Sequence, residues 1–274
     1  MLGSVGGASA AVVSVAALLA AGPAAAQGGN PVAAALVKTV LSGSVAFEGH
    51  AALNLPANDS LYVYESTGEL GGGGARAYLA ASEKGHAAVR AQVRIVAESS
   101  GPVLYAHVPA LVAQLPTGKT WVRATAADLR ALAASALGGL PSGLPTSLPS
   151  GLNPTMLLRL LGTVIGTPTQ VGPTDIAGHP TTRYHATISL APIVAALGLP
   201  AGAAGAGHVS LDAWVDQKDG YLRQLHIGYR AGGPTPPWLS LTYVLHDFGS
   251  PVHVTAPPAS AAVPLSEVAA LPGG

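Results

Sequence analysis

The chain contains no cysteine. That removes disulfides, thiolate metal sites, cysteine nucleophiles and iron–sulfur clusters at once. Charge is scarce as well: 13 Lys plus Arg and 13 Asp plus Glu make up 9% of 274 residues, against roughly 25% in an average soluble domain. The two signs cancel, so neither a basic footprint for nucleic acid nor an acidic solvating tail is present. Phenylalanine occurs only twice. Three motifs are also missing or out of context. There is no G-x-S-x-G elbow and no H-E-x-x-H pair. The Gly-rich run at 202–207 precedes a strand pattern, where a phosphate loop would open a helix.

What is there is small and apolar. Hydrophobic residues make up 49% of the chain, mostly Ala, Val and Leu. Residues 8–22 are apolar or small throughout, Pro23 breaks the run, and Ala24, Ala25 and Ala26 offer a cleavage site before Gln27. Residues 1–26 therefore read as a signal peptide. A retained transmembrane anchor is the competing reading; the run is short and alanine contributes little to insertion. No Lys or Arg precedes Lys38, which is unusual for a leader.

Residues 30–41 have the spacing of a helix, with Asn30 as N-cap, Pro31 at the first position and Val32, Leu36 and Val40 on one face. Period-2 patterning then predicts strands at 44–55, 61–70, 76–82, 88–96, 103–108 and 120–124. It resumes at 182–190, 208–216, 221–229 and 239–245. In the fourth, Val89, Ala91, Val93 and Ile95 alternate with Arg90, Gln92 and Arg94, as one wet face requires. Asp219-Gly220 marks a hairpin turn. Helical stretches are expected at 126–137, with Thr125 as N-cap, at 155–162 and at 191–199. The tail 257–274 is Pro/Ala-rich and expected to be extended or disordered. The expected fold class is α+β: a large curved antiparallel half-barrel sheet of about ten strands with helices on its concave side. It spans residues 30–256 as one domain.

Between 138 and 154 a Leu-Pro unit repeats, placing Leu140, Leu144 and Leu148 four residues apart. Proline and glycine forbid regular structure there. The segment is either a linker or an apolar rim at a cavity mouth. Trp121, Trp214 and Trp238 each sit in a strand pattern among small residues; they either fill a core or line a cavity. The candidate lining is Trp121, Leu144, Leu148, Leu157, Leu161 and Trp214. Small inward side chains leave volume, and burying an acyl chain contributes roughly 0.8 kcal/mol per methylene without hydrogen-bonding chemistry.

Catalysis has little support. Of His50, His86, His107, His179, His185, His208, His226, His246 and His253, none pairs at metal-ligand spacing. His246-Asp247 lacks a recognisable nucleophile, and Glu65 and Glu69 share a strand face as surface carboxylates commonly do. No catalytic residue, metal site or cofactor is expected.

Four stretches in order carry a family resemblance: PVLYAHVPALVAQLPTGKTWVRA (102–124), VGPTDIAGHPTTRYHATISL (171–190), WVDQKDGYLRQLHI (214–227) and HDFGSPVHVTAPP (246–258). Together they resemble the actinobacterial LppX/LprG-type lipoproteins, whose fold is similar to the LolA/LolB lipoprotein carriers. The resemblance spans about residues 33–258. It implies a half-barrel cupping an apolar cavity, no cofactor and no catalytic residue. The implied partner is an acyl lipid or glycolipid, carried or placed in the cell envelope; a membrane surface or an envelope transporter is a further partner. Such proteins carry an acylated lipobox cysteine, and this chain has none. It is therefore expected to be exported to the envelope or secreted, without a lipid anchor. Two alternatives stand beside this reading: an envelope protein that keeps the fold without lipid carriage, and an envelope hydrolase.

Overall fold

The computed structural model describes residues 30–55, 60–71, 74–99, 101–128, 167–188, 208–230 and 238–268. The expected leader, the Leu-Pro segment, the helical stretches at 155–162 and 191–199 and most of that at 126–137 lie outside them.

Pro31–Leu41 forms helix α1. Asn30 caps it, its Oδ1 accepting from the Val32 and Ala33 amides at 3.1 and 3.0 Å. Those amides belong to the first turn, which has no intrahelical partners for them. Val32, Ala35, Leu36 and Thr39 are buried, the i, i+3, i+4, i+7 stripe of a one-sided helix.

Six strands follow: β1 (Ser44–Leu55), β2 (Ser60–Gly71), β3 (Gly74–Glu83), β4 (Val89–Glu98), β5 (Gly101–His107) and β6 (Trp121–Thr125), with a short helix α2 (Pro109–Val112) before the last. A second run comprises β7 (Thr169–Ile176), β8 (His179–Ile188), β9 (His208–Asp216), β10 (Leu222–Arg230) and β11 (Trp238–His246). After a 3₁₀ turn, Ala259–Ala261, come β12 (Ala262–Pro264) and helix α3 (Leu265–Val268). All twelve strands make one open, curved sheet in the order β12-β6-β5-β4-β3-β2-β1-β11-β10-β9-β8-β7. Every neighbouring pair is antiparallel except β12–β6.

The ten expected strands are present, 44–55 and 208–216 with the expected ends and the others with shifted ones, and β7 and β12 are additional. The described part of the tail, residues 257–268, differs from the expectation of an extended or disordered segment. The Thr120 amide donates to Ala261 O at 2.9 Å, and Val263 is buried beside Val122 of β6. Thr125 does begin a helical turn: its amide and hydroxyl donate to Asp128 Oδ2 at 2.8 and 2.7 Å, and the Asp128 amide returns to its hydroxyl at 3.3 Å, a reciprocal cap.

α1 packs over β1, β9 and β10. Beneath it lies the main core, including Val45, Phe47, Ala213, Leu222, Leu225, Tyr243 and Leu245. Phe47 and Tyr243 meet edge-to-face, ring centroids 6.0 Å apart and planes at 67°, the geometry ring quadrupoles favour. Opposite Phe47 on β2 is Gly68, and opposite Tyr243 on β1 is Gly49. A Cβ on Gly68 would lie 2.7 Å from Phe47 Cζ and 2.4 Å from Arg76 O; one on Gly49 would lie 2.5 Å from Tyr243 Cε1. Each ring thus occupies space that a side chain on the neighbouring strand would need.

Gly68→Ala should therefore lower stability by about 1–3 kcal/mol, the usual cost of overpacking a fitted site. Urea denaturation checks this as a fall in midpoint at constant slope; an unchanged midpoint would contradict the account.

Candidate functional site

Directly opposed residues on adjacent strands share a face, so the register divides the sheet into rows. On the α1 side, from the covered end outward, the first row is Gly68, Phe47 and Leu245, and the second Ser66, Gly49, Tyr243 and Leu225. The third is Tyr64, Ala51, Leu241 and Ile227, and the fourth Tyr62, Leu53, Leu239 and Tyr229. Phe47, Leu245, Tyr243 and Leu225 are buried. In the outer two rows Tyr62, Tyr64, Leu53, Leu241, Ile227, Leu239 and Tyr229 are half-buried. Ala75, Ala77, Leu79, Ala81, Val89, Ala91 and Val93 continue this face across β3 and β4. The result is a wide apolar surface, lined largely by small and branched side chains, whose outer rows are incompletely covered.

The covered end is locked by polar groups. Thr39 Oγ1 of α1 accepts from the Leu222 amide at 3.0 Å, and Lys38 Nζ donates to Asp219 O. Gly220, at φ +69°, closes the β9–β10 turn. A bulge at the start of β10 re-aims Arg223. Its Nε donates to Asp216 Oδ2 at 2.8 Å, and its guanidinium lies 4.9 Å from the Phe248 ring, which stacks on Tyr221. Both members of the pair are buried. Burial opposes ionisation of Asp216, but the Lys218 and Asp219 amides and the Arg223 guanidinium outweigh it and hold the carboxyl below its ordinary value of 3.8.

Trp121 and Trp214, candidates to fill a core or line a cavity, lie on the face opposite α1. Trp214 alternates with Ala213 and Val215 of the α1 face and so points to the opposite face. There the Arg183 guanidinium lies 5.3 Å from its ring, while Arg183 and His185 both bond Asp212. Trp121 is on that same outer face, in a separate cluster with Val103 and Tyr105 and with Arg94 at 4.7 Å. Eight strand steps separate β6 from β9, so the two rings do not meet. Leu144, Leu148, Leu157 and Leu161 lie outside the described residues. Sequence patterning does not single out the half-buried tyrosines of the outer rows, Tyr62, Tyr64 and Tyr229. Tyr62 and Tyr64 alternate with Leu61 and Val63, so both faces of that strand look apolar and no period reveals which is which.

No protein-family model and no curated protein matches the chain. Solved structures similar to it include LprF from Mycobacterium bovis, at 14% identity and a TM-score of 0.39 over 79% of this chain and 90% of that one. They also include the lipoprotein LppX of Mycobacterium tuberculosis, at 16% identity and a TM-score of 0.37 over 82% of this chain and 98% of that one.

Two titrations follow from the geometry. Burial pushes the Tyr243 phenol up to about 12 from an ordinary value of 10.0. The folded chain thus keeps a proton that the unfolded chain loses. This contribution is intact below pH 10 and disappears as pH rises from 10 toward 12, by up to about 1.4 kcal/mol per pH unit. Tyr243→Phe should flatten the alkaline limb of a melting-temperature profile; superimposable limbs would contradict this.

Asp216 has the opposite sign. Its lowered value gives stability that is present above about pH 4 and lost as pH falls through the folded value. Asp216→Asn leaves the buried Arg223 with Asp219 as its remaining carboxylate, 2.5 Å from Nη2, at an expected cost of about 3 kcal/mol near neutrality, the low end for breaking a buried pair. The gap from wild type should narrow on acidification. A gap that is constant with pH in denaturant titrations would exclude the ion pair as its source.

Proposed function

We propose that the chain binds an acyl lipid or glycolipid against the α1 face of the sheet and carries or places it in the cell envelope, without catalysis. The observation that supports this is the pair of half-buried apolar rows beyond α1. α1 has eleven residues and is about 16 Å long, whereas twelve strands extend over roughly 50 Å. One such helix leaves most of the face to be covered by something else. An acyl chain suits it, since each buried methylene contributes roughly 0.8 kcal/mol and asks for no hydrogen bond. Leu144, Leu148, Leu157 and Leu161 are the proposed opposite wall. The leader is proposed to direct export. No helix among the described residues is long and apolar enough to cross a membrane.

The hydrolase alternative needs a serine hydroxyl on a histidine–aspartate pair. Three such pairs occur among the described residues, His179–Asp216, His185–Asp212 and His246–Asp247. None of them hydrogen-bonds a serine among the described residues: Asp216 and Asp212 are engaged by arginines, and His246 and Asp247 are solvent-facing neighbours in the chain.

Lipid extraction and native mass spectrometry of the purified protein should show bound acyl lipid. A fluorescent fatty acid should bind it, and Leu53→Asp or Leu241→Asp, each checked for folding by circular dichroism, should weaken that binding at least about tenfold. Ser240→Asp on the opposite face should leave it unchanged. A folded wild-type protein that takes up no lipid would overturn the reading in favour of a fold without carriage.

A further inference from the structure

The outer face of β4, β5 and β6 carries an apolar groove that the chain fills with its own tail. Val103, Tyr105 and Trp121 are buried there beside Val96, and Ala261 and Ala262 of the tail pack against them. Val263 then joins β12 beside Val122 and is buried. The tail is held through its backbone. Arg94 Nη1 donates to Thr255 O at 3.1 Å, Lys119 Nζ to Ala259 O at 3.5 Å and the Thr120 amide to Ala261 O at 2.9 Å. Bonds to carbonyls accept any sequence that can follow the same path. β12 adds only three residues of parallel pairing, the weaker of the two ladder geometries.

The charges of the groove suit a different occupant. Glu69, Arg76, Arg94, Tyr105 and Arg123 form one row across β2 to β6. Arg76 pairs with Glu69, and Arg123 with Glu98. Arg94, between them, meets no carboxylate among the described residues, and neither does Lys119. Arg94 Nε is buried and has no hydrogen-bond partner, the one such side-chain atom among the described residues. The guanidinium lies 4.7 Å from the Trp121 ring, a stacking that fixes the direction of its donors. The tail cannot supply the missing acceptor, because the chain has no carboxylate between Asp247 and Glu267. A second copy of the same tail would lack it equally.

We propose that this groove is a docking site for an extended acidic segment of a partner protein, and that residues 255–264 stand in for that segment. The partner sets one carboxylate on Arg94, where Nε and an Nη can take its two oxygens. It sets a second on Lys119 and a small branched residue where Val263 sits. Thr255, Ala259 and Val263 are four residues apart in turn, so the partner segment carries acid, acid and valine at that spacing. The tethered tail competes at an effective concentration on the order of mM, and a free segment displaces it only by binding better. This inference is independent of the lipid reading, which concerns the opposite face.

The experiment adds labelled peptides to the full chain and follows fluorescence anisotropy. One peptide has the sequence of residues 251–268; the other carries Thr255→Glu and Ala259→Glu. The acidic peptide should bind at least about tenfold more tightly, as one or two charge-assisted bonds supply, and added salt should shrink the difference. Val263→Asp in the acidic peptide should abolish binding, which places it in the groove of the tail. In the chain, Arg94→Gln and Lys119→Gln should each remove part of the preference, and Arg90→Gln, exposed on the same strand as Arg94, none. The Lys119 bond is exposed, so Lys119→Gln keeps the test decisive if Arg94→Gln folds poorly. Made in the chain itself, Thr255→Glu with Ala259→Glu should raise the melting temperature and exclude the labelled peptide. An acidic peptide that binds no better than the native one, a preference that survives both charge removals, or binding that survives Val263→Asp overturns the proposal.

Discussion

The pairing of β1 with β11 is the constraint on which the sheet depends. β2 to β6 follow β1 outward as one meander, and β10 back to β7 follow β11 outward as another. Nine residue pairs, from Ala46 opposite His246 to Asn54 opposite Trp238, join these halves. Because side chains alternate with period 2, a slip of one residue along this seam would turn the whole apolar set of one half away from that of the other. The seam is therefore where register must be most strongly specified. Phe47 and Tyr243 supply that specification, one ring from each side, each lying over a glycine that admits no other neighbour. α1 then bridges the junction, touching β1 on one side and β9 and β10 on the other.

An open sheet also has two edges, and unpaired edges invite association. At one, β7 carries a bulge at Val171, Gly172 at φ +150° and Pro173; the bend, the positive φ and the missing amide all hinder further pairing. At the other, β12 has three residues and ends on Pro264. The chain reaches this edge from β11 across the outer face. On the way Ser44 Oγ bonds Ser250 O, Arg94 Nη1 bonds Thr255 O and Lys119 Nζ bonds Ala259 O. Among the described residues the few charges are thus used largely on the outer face, as ties and ion pairs, while the α1 face is left almost uncharged.

Much of this was legible in the residues. The N-cap and first-position proline of α1, the alternation of β4 and the Asp-Gly turn each follow from a local rule, and each is present. What was not legible has physical reasons. β7 is exposed over most of its length and holds Gly172 and Pro173 at its centre, so it shows neither alternation nor β-branched density. β12 is held by its neighbour β6, and three residues of Ala-Val-Pro carry no strand signal of their own. Of the two roles open to a large ring, filling a core or lining a cavity, Trp121 takes the first, in a small cluster with Val103 and Tyr105, while Trp214 lies on the outer face under an arginine, which lets a large ring sit among polar groups. The tyrosines were hidden by the reverse effect, since on β2 the outward neighbours are themselves apolar.

The two ends of the α1 face therefore have different mechanical characters, and the difference bears on what a carrier needs. At the covered end, interlocked rings, the Thr39–Leu222 hydrogen bond and the buried Asp216–Arg223 pair all resist rearrangement. Displacing any of them exposes apolar area or leaves a buried charge unpaired, so that end is built to persist. At the far end no described ion pair or ring stack ties Leu53, Leu239 or Leu241 to another element, and the side chains are small or amphipathic. On the proposed carrier function, gaining or losing a ligand there would change hydration and little else. A binding face that must both hold and release its cargo needs this asymmetry: a rigid end to fix the register of the sheet, and an adaptable end at which exchange costs no part of the core.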